Sequence, residues 1–411
     1  NTRSRGLGDV YKRQFDYRGR VYPQTRCLHP MGTDFDKALL YFKQESPINE
    51  WWLAFHVATT YGLDKDTNNN RVQWTRDNTA LITKVATDPI GNLCDWEGVD
   101  EPWGFLAGCI EYYKCCITFE KETSGLPVGI DATCSGIQHL SAMTMDANSA
   151  AQVNVIPTEQ PSDGYKTVAE VAKKYIEDTE VHAHMSRKIT KRTVMCVPYG
   201  ITPHSSRDHI REAFLENTDL DLQVRGRLSG VVDAVYKKAM PEVFPGPVAV
   251  MHWLQSSAKQ LLAQGAQTFA WTTPSGFNVL QDYRVSRTKR IRTILFGSAA
   301  RASVGIERKG IDKNKHTSSL PPNLVHSLDA SLLHLTFEQW DQPFLPIHDC
   351  VLARSSDMDD LAHWLRHYFA EMYKLRPLED WANQVGVEIP DGLIKESLEI
   401  DTVKDSLYFF C

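Results

Sequence analysis

The sequence predicts an α+β fold that is mainly helical, with strands that are few and short. Three observations lead there. Helical apolar spacing covers most of 35–120, 162–183, 208–265, 357–375 and 378–385. Two compact apolar runs, Leu126–Asp131 and Leu345–Ala353, read as buried strands. A β-rich stretch at 268–296 turns at Pro274-Ser275-Gly276 and reads as a hairpin system.

With 411 residues the chain can form two or three domain-sized units around a large core. Its apolar share (42%) and charged share (23%) are those of an ordinary globular protein. No run approaches the apolar length needed to span a bilayer, and no secretory leader pattern is present. Nine cysteines, none in a CxxC pair, count against a disulfide framework or a zinc site and fit a reducing compartment. The net charge of −6 conceals a basic segment. Between 284 and 315, ten Lys/Arg meet only Glu307 and Asp312. Phosphate affinity follows such local clusters, although a solvated loop carries the same pattern.

Taken in order, residues 1–14 lack apolar periodicity and an initiator Met. They read as a tail outside any core, on a chain whose start lies elsewhere. Asp16, Arg18, Gly19 and Arg20 make a tight turn presenting guanidiniums, which suit phosphate oxygens. The aromatic groups around Trp51-Trp52 and Phe105–Tyr113 read as core. The 126–131 strand ends in a carboxylate, followed by the small residues Ala132–Gly136 and a helix from Ile137. Asp131 is placed for a metal ion, and equally for a helix N-cap.

A helix over 187–200 places Arg187, Lys191, Met195 and Tyr199 four apart on one face. The cations suit a polyphosphate and the aromatic end suits a flat ring; an amphipathic surface helix has the same spacing. Pro198 predicts a helix end or kink. Pro241 and Pro245-Gly246-Pro247 break the helical pattern of 208–265, and Pro321-Pro322-Asn323 closes the basic loop before a helix from Leu324. His348-Asp349 tips a hairpin of apolar strands, where charge is costly without a ligand. The apolar end Leu407–Cys411 is expected to pack.

In this order the motifs DYRGRVYP (16–23), DATCSGIQHLSAM (131–143), RKITKRTVMCVPYG (187–200), PPNLVHSLDAS (321–331), IHDC (347–350) and YFFC (408–411) resemble those of the single-subunit RNA polymerases of bacteriophages and mitochondria. The resemblance covers nearly all of 15–411. It implies a right-hand polymerase fold with an antiparallel-sheet palm and helical fingers, the thumb and N-terminal domain missing. The palm would comprise 15–160 and 327–411, ending in a C-terminal foot. The fingers would be 161–326, with a basic specificity hairpin near 284–308.

The resemblance further implies DNA-templated RNA synthesis from NTPs with release of pyrophosphate. Asp131 and Asp349 would hold two Mg²⁺ ions, with the Ala132 carbonyl as a further ligand. Arg187 and Lys191 would bind the triphosphate, and Lys191 would protonate pyrophosphate. Tyr199 and His326 would monitor the ribose and base, and Gly200 would allow close packing beside the new base pair. Tyr165 and Arg192 would complete the pocket, and His348 would support the Asp349 turn. Arg18 and Arg20 would contact template or hybrid, and Arg290, Arg292 and Arg301 would read promoter DNA. The partners implied are double-stranded DNA, the RNA transcript and NTPs, with no membrane and a monomeric chain.

The sequence departs from the pattern at Pro198, at Ala132 (often Gly) and at Cys411. DATCSGIQHLSAM and compact inserts lean toward the phage branch, and PPN, HSLD, HDC and YFFC toward the mitochondrial one. The phage reading, in the cytoplasm of an infected bacterium, is preferred over a mitochondrion or other organelle. A family-A-like DNA polymerase is the rival. It usually carries a bulky Glu soon after the first Asp, where this chain has Ala132–Gly136. A non-catalytic DNA-binding fragment is the other alternative.

Overall fold

A computed structural model of the chain describes residues 13–25, 28–220, 226–295 and 298–411. Most of the expected N-terminal tail lies outside these residues. Helices dominate, and the strands form small antiparallel sheets.

Asp131 and Asp349 are carried by one three-stranded sheet in the order Phe344–Ile347, Cys350–Ala353, Val128–Asp131. Alternation decides which side chains go inward. Val128, Ile130, Val351 and Ala353 are at most 1% exposed, so each strand is anchored by its apolar face. Burying each larger aliphatic side chain contributes about 1.5–3 kcal/mol. Register pairs Cys350 with Asp131, which puts the two-residue turn His348-Asp349 beside the end of the Asp131 strand.

The apolar terminus packs as expected and also pairs. The Cys411 amide donates to the Asp131 carbonyl (3.0 Å), the Asp131 amide to the Cys411 carbonyl (3.3 Å) and the Thr133 amide to the Phe409 carbonyl (3.2 Å). Phe409 and Phe410 are buried beneath this edge. The Asp131 strand is therefore held on both sides.

Helix Glu50–Ala58 packs against the Asp131 strand, and helices Ser135–Met143 and Met358–Lys374 both pack on Lys313–Glu338. Every residue of Ser135–Met143 is buried. Three expectations change. The 162–183 helix is two helices, Gly164–Lys173 and Thr179–His184, the second restarted by the Asp178 side chain accepting from the Glu180 and Val181 amides. Pro245-Gly246-Pro247 opens the 19-residue helix Pro245–Ala263, because proline fits the first turn, where no N–H is needed. The helix expected from Leu324 begins at Lys313 and runs through Pro321 and Pro322, so His326 lies mid-helix. Burial of Leu320 through Val325 on neighbouring elements outweighs the two missing amide donors.

The basic segment forms one long hairpin, Arg284–Leu295 with Ser298–Ile311, bulged between Arg284 and Ser286. Its base is pinned by the Asp312 amide donating to the Tyr283 carbonyl (2.9 Å) and the Tyr283 amide to His316 Nε2 (3.0 Å).

Candidate active site

Asp131 ends its strand and is not the cap of the following helix, which starts at Ser135 after Cys134 in the left-handed region. Asp349 occupies the second turn position of the hairpin. His348, the first, takes φ +58°, a conformation a two-residue hairpin loop demands and a non-glycine residue adopts at a cost of about 1–2 kcal/mol. His348 packs edge-on against Tyr22 (centroids 4.8 Å apart), and burial with the Arg20 charge lowers its pKa to about 4. It is a neutral support for the turn. The Ala132 amide donates to the Asp349 carbonyl (3.0 Å), locking the two acidic segments together.

Both carboxyls are pushed upward. Asp131 reaches solvent at its tip, yet the protein crowded around it desolvates the carboxyl and, with Asp349, raises it to about 8; Asp349, half-buried, rises through desolvation and then Asp329. Crowded carboxyls with a raised pKa mark a place where a cation relieves repulsion. Among the described residues no cluster of three or more His, Cys, Asp and Glu forms a metal site. Two carboxylates leave most positions of an octahedral ion to water and substrate oxygens, which fits magnesium and not a closed zinc site. The Ala132 carbonyl already accepts from the Cys134 amide (2.8 Å), with its second lone pair left over.

The cation helix spans Arg187–Cys196 and ends before Pro198, so Tyr199 sits in the turn beyond it. Arg187 Nε donates to Asp163 (2.6 Å), its guanidinium lies over the Tyr165 ring, and its Nη2 is buried with no protein partner. Burial and the Arg187 and Lys65 charges lower the Lys191 pKa. Arg192 points away, exposed and paired with Glu212 (2.8 Å). Tyr165 is half-buried, and desolvation, then Cys134 beside it, keep its phenol protonated.

Tyr199 lies against His326 (centroids 4.7 Å, planes 31° apart). Arg18 reaches the other side of that imidazole, Nη1 to Nδ1 at 2.6 Å. Arginine only donates, so Nδ1 accepts and the proton resides on Nε2. Burial, then Arg20 and Arg18, keep His326 neutral. Arg20 is committed inward, bound to Asp329 Oδ2 by Nε (3.0 Å) and Nη2 (2.7 Å). Burial opposes the Asp329 charge, but Arg20 and then His139 hold its carboxyl well below the usual range. Gly200 has φ +77°, and a Cβ there would stand 3.0 Å from the Ser318 carbonyl, so its close approach is to the Lys313–Glu338 helix.

In the ribbon, directly paired residues share a face. Arg292 pairs with Arg301 and Arg290 with Ser303, so the three expected arginines lie together on one exposed face. Arg287 and Lys289 lie on the other face with Ile291, Val304 and Ile306. The Arg308 and Lys309 side chains lie outside the described residues.

Four residues here escape sequence reasoning. Ser135 Oγ donates to Asp349 Oδ2 (2.8 Å) and stands 3.1 Å from the Tyr199 hydroxyl. A Cβ on Gly136 would lie 2.7 Å from Pro198 Cβ, so the missing side chain seats the Pro198-Tyr199 turn. Lys65 lines a pocket with Cys134, Asp163, Tyr165 and Arg187. Arg71, fully buried, grips the loop carrying Lys65, donating to the carbonyls of Asp64 (2.8 Å) and Asp66 (3.1 Å). Lys65 lies in the polar stretch 64–70, a weak signal in the sequence, and Arg71, just beyond it, carries none.

A family model for DNA-dependent RNA polymerase matches residues 45–406. The chain is 29% identical to the mitochondrial DNA-directed RNA polymerase of Homo sapiens, over 96% of this chain and 35% of that protein. It is 29% identical to DNA-directed RNA polymerase 2, chloroplastic/mitochondrial, of Arabidopsis thaliana (97% and 42%) and 28% identical to DNA-directed RNA polymerase 1, mitochondrial, of Nicotiana sylvestris (98% and 43%). The chain thus spans between about a third and two-fifths of these relatives' length. Their names are organellar, and the preference for a phage origin finds no support among them. With the family model covering most of the chain, the protein belongs to the DNA-dependent RNA polymerase family.

Proposed function

We propose that this chain carries the nucleotidyl-transfer centre of a DNA-templated RNA polymerase of organellar type. One observation carries the reading: Asp131 and Asp349 converge at one end of a clamped sheet, both with raised pKa. In this reading 15–160 and 327–411 form the palm, 161–326 the fingers, and the 284–311 ribbon contacts promoter DNA. The partners are template DNA, RNA and NTPs.

Asp131 and Asp349 would hold two Mg²⁺ ions, which supply charge neutralisation at the attacking and leaving oxygens. Arg187, with its unpartnered Nη2, and Lys191 bind the triphosphate, joined by Lys65. The lowered pKa of Lys191 favours giving its proton to departing pyrophosphate. Tyr199 and His326 face the sugar and base, with the imidazole oriented by Arg18. Arg20 acts from behind, by holding Asp329, and not as a nucleic-acid contact.

The test is extension of an RNA primer on a preassembled DNA template with Mg²⁺, comparing NTPs with dNTPs. NTP-dependent extension that vanishes in Asp349→Ala supports the reading. Preference for dNTPs would move it to DNA synthesis. DNA binding without extension would leave a binding fragment.

A further inference from the structure

Ser135 touches both the acidic and the substrate-facing sides of the site. Its Oγ is 2.8 Å from Asp349 Oδ2 and 3.1 Å from the Tyr199 hydroxyl. Serine has one proton to donate, and the contact with Asp349, the shorter of the two, takes it: Ser135 Oγ donates to Asp349 Oδ2. A Ser135 lone pair therefore receives the proton of Tyr199. The Tyr199 hydroxyl then has only lone pairs left for a ligand.

We propose that Ser135 is a positioning residue that fixes the direction of this hydroxyl chain and so makes Tyr199 an acceptor, selective for a sugar whose 2′ group can donate. The inference rests on the nucleotide reading of the site. A 2′-hydroxyl meets the requirement; 2′-fluoro and 2′-deoxy sugars do not. Ser135 has little freedom to turn away. It is 4% exposed, opens a helix buried along its whole length, and precedes Gly136, against which Pro198 and Tyr199 are seated.

The experiment is single-nucleotide extension by the full chain on a preassembled primer and template, with kcat and KM measured separately for NTP, 2′-fluoro-NTP and dNTP. In Ser135→Ala the Tyr199 proton is free to turn toward the sugar. The preference for NTP over 2′-fluoro-NTP should fall by about five- to tenfold, the scale of one hydrogen bond. In a Tyr199→Phe background the same substitution should change the ratio no further. An unchanged ratio in Ser135→Ala, or an equal fall in the Tyr199→Phe background, overturns the inference while the polymerase reading stands. Should Ser135→Ala not fold, Ser135→Gly, which also removes the hydroxyl, carries the test. A measurable fall then supports the inference, and an unchanged ratio overturns it. A wild-type chain that extends neither nucleotide overturns the polymerase reading and this inference with it.

Discussion

Two groups of arginines that look alike in sequence meet opposite fates. In the 16–20 turn, Arg18 is bound to Asp16 and His326, and Arg20 to the buried Asp329. On the ribbon, Arg290, Arg292 and Arg301 share one exposed face, and none of them makes an ion pair among the described residues. The difference lies in what the fold offers each guanidinium. Asp329 is 5% exposed and would be a costly isolated charge, so it captures Arg20. Among the described side chains the ribbon offers these three arginines no such anion, and their hydrogen-bonding capacity is kept for an outside partner. An arginine-rich motif is therefore not by itself a surface charge.

The interior side of this contrast breaks most sharply at Asp349. Asp349→Asn should lower primer extension by about three orders of magnitude or more, the loss of several kcal/mol of transition-state charge stabilisation, with the fold retained by circular dichroism. Next comes Arg20→Met, which leaves the buried Asp329 with only His139 beside it (3.8 Å) and should cost about 3 kcal/mol in urea unfolding. Its pH dependence has a definite sign. In the wild type the folded pKa of Asp329 is depressed, so its contribution is full above the unfolded carboxylate range and lost as pH falls through the folded value. The deficit of Arg20→Met should be largest near neutral pH and narrow toward pH ~4 as the carboxyl that lost its arginine takes a proton. An unchanged unfolding midpoint would dissolve the distinction between the two arginine groups.

On the ribbon the expectation reverses. Replacing Arg290, Arg292 and Arg301 together by Ala should move stability by no more than about 0.5 kcal/mol. The slope of log affinity for duplex DNA against log salt should become shallower by about 2–3, read by fluorescence anisotropy. A large stability loss with an unchanged slope would mean that these side chains serve the fold. At Gly200 a single methyl is the whole change: Ala meets both φ +77° and the Ser318 carbonyl and should cost about 1–2 kcal/mol in thermal unfolding.

What could be read from the chain was set by the range of the interactions. The two strands ending near Asp131 and Asp349, and the cation helix stopping before Pro198, follow from local alternation and a local breaker. The helix passing through Pro321 and Pro322 does not, because burial against distant elements overrides a local penalty. Pro245 was misread for a related reason: the same residue stops a helix in its middle and starts one at its first turn. Of the site, the carboxylates and cations were legible as residue types in a familiar order. The Ser135 bridge spans 214 residues to Asp349 and 64 to Tyr199, and no spacing rule encodes it. Arg20 was legible as a cation but not as one already spoken for.

The Arg71 clamp has a consequence for which substitutions the molecule tolerates. Its guanidinium holds backbone carbonyls on either side of Lys65 and packs over the Phe55 ring (4.8 Å), without requiring a particular side chain at residue 64. Drift at that flanking position leaves the grip intact, whereas any change at Arg71 releases the loop whatever sequence it carries. A saturation-mutagenesis map of this stretch would therefore show a permissive neighbour beside the lysine and an intolerant residue six positions beyond it, buried in the core.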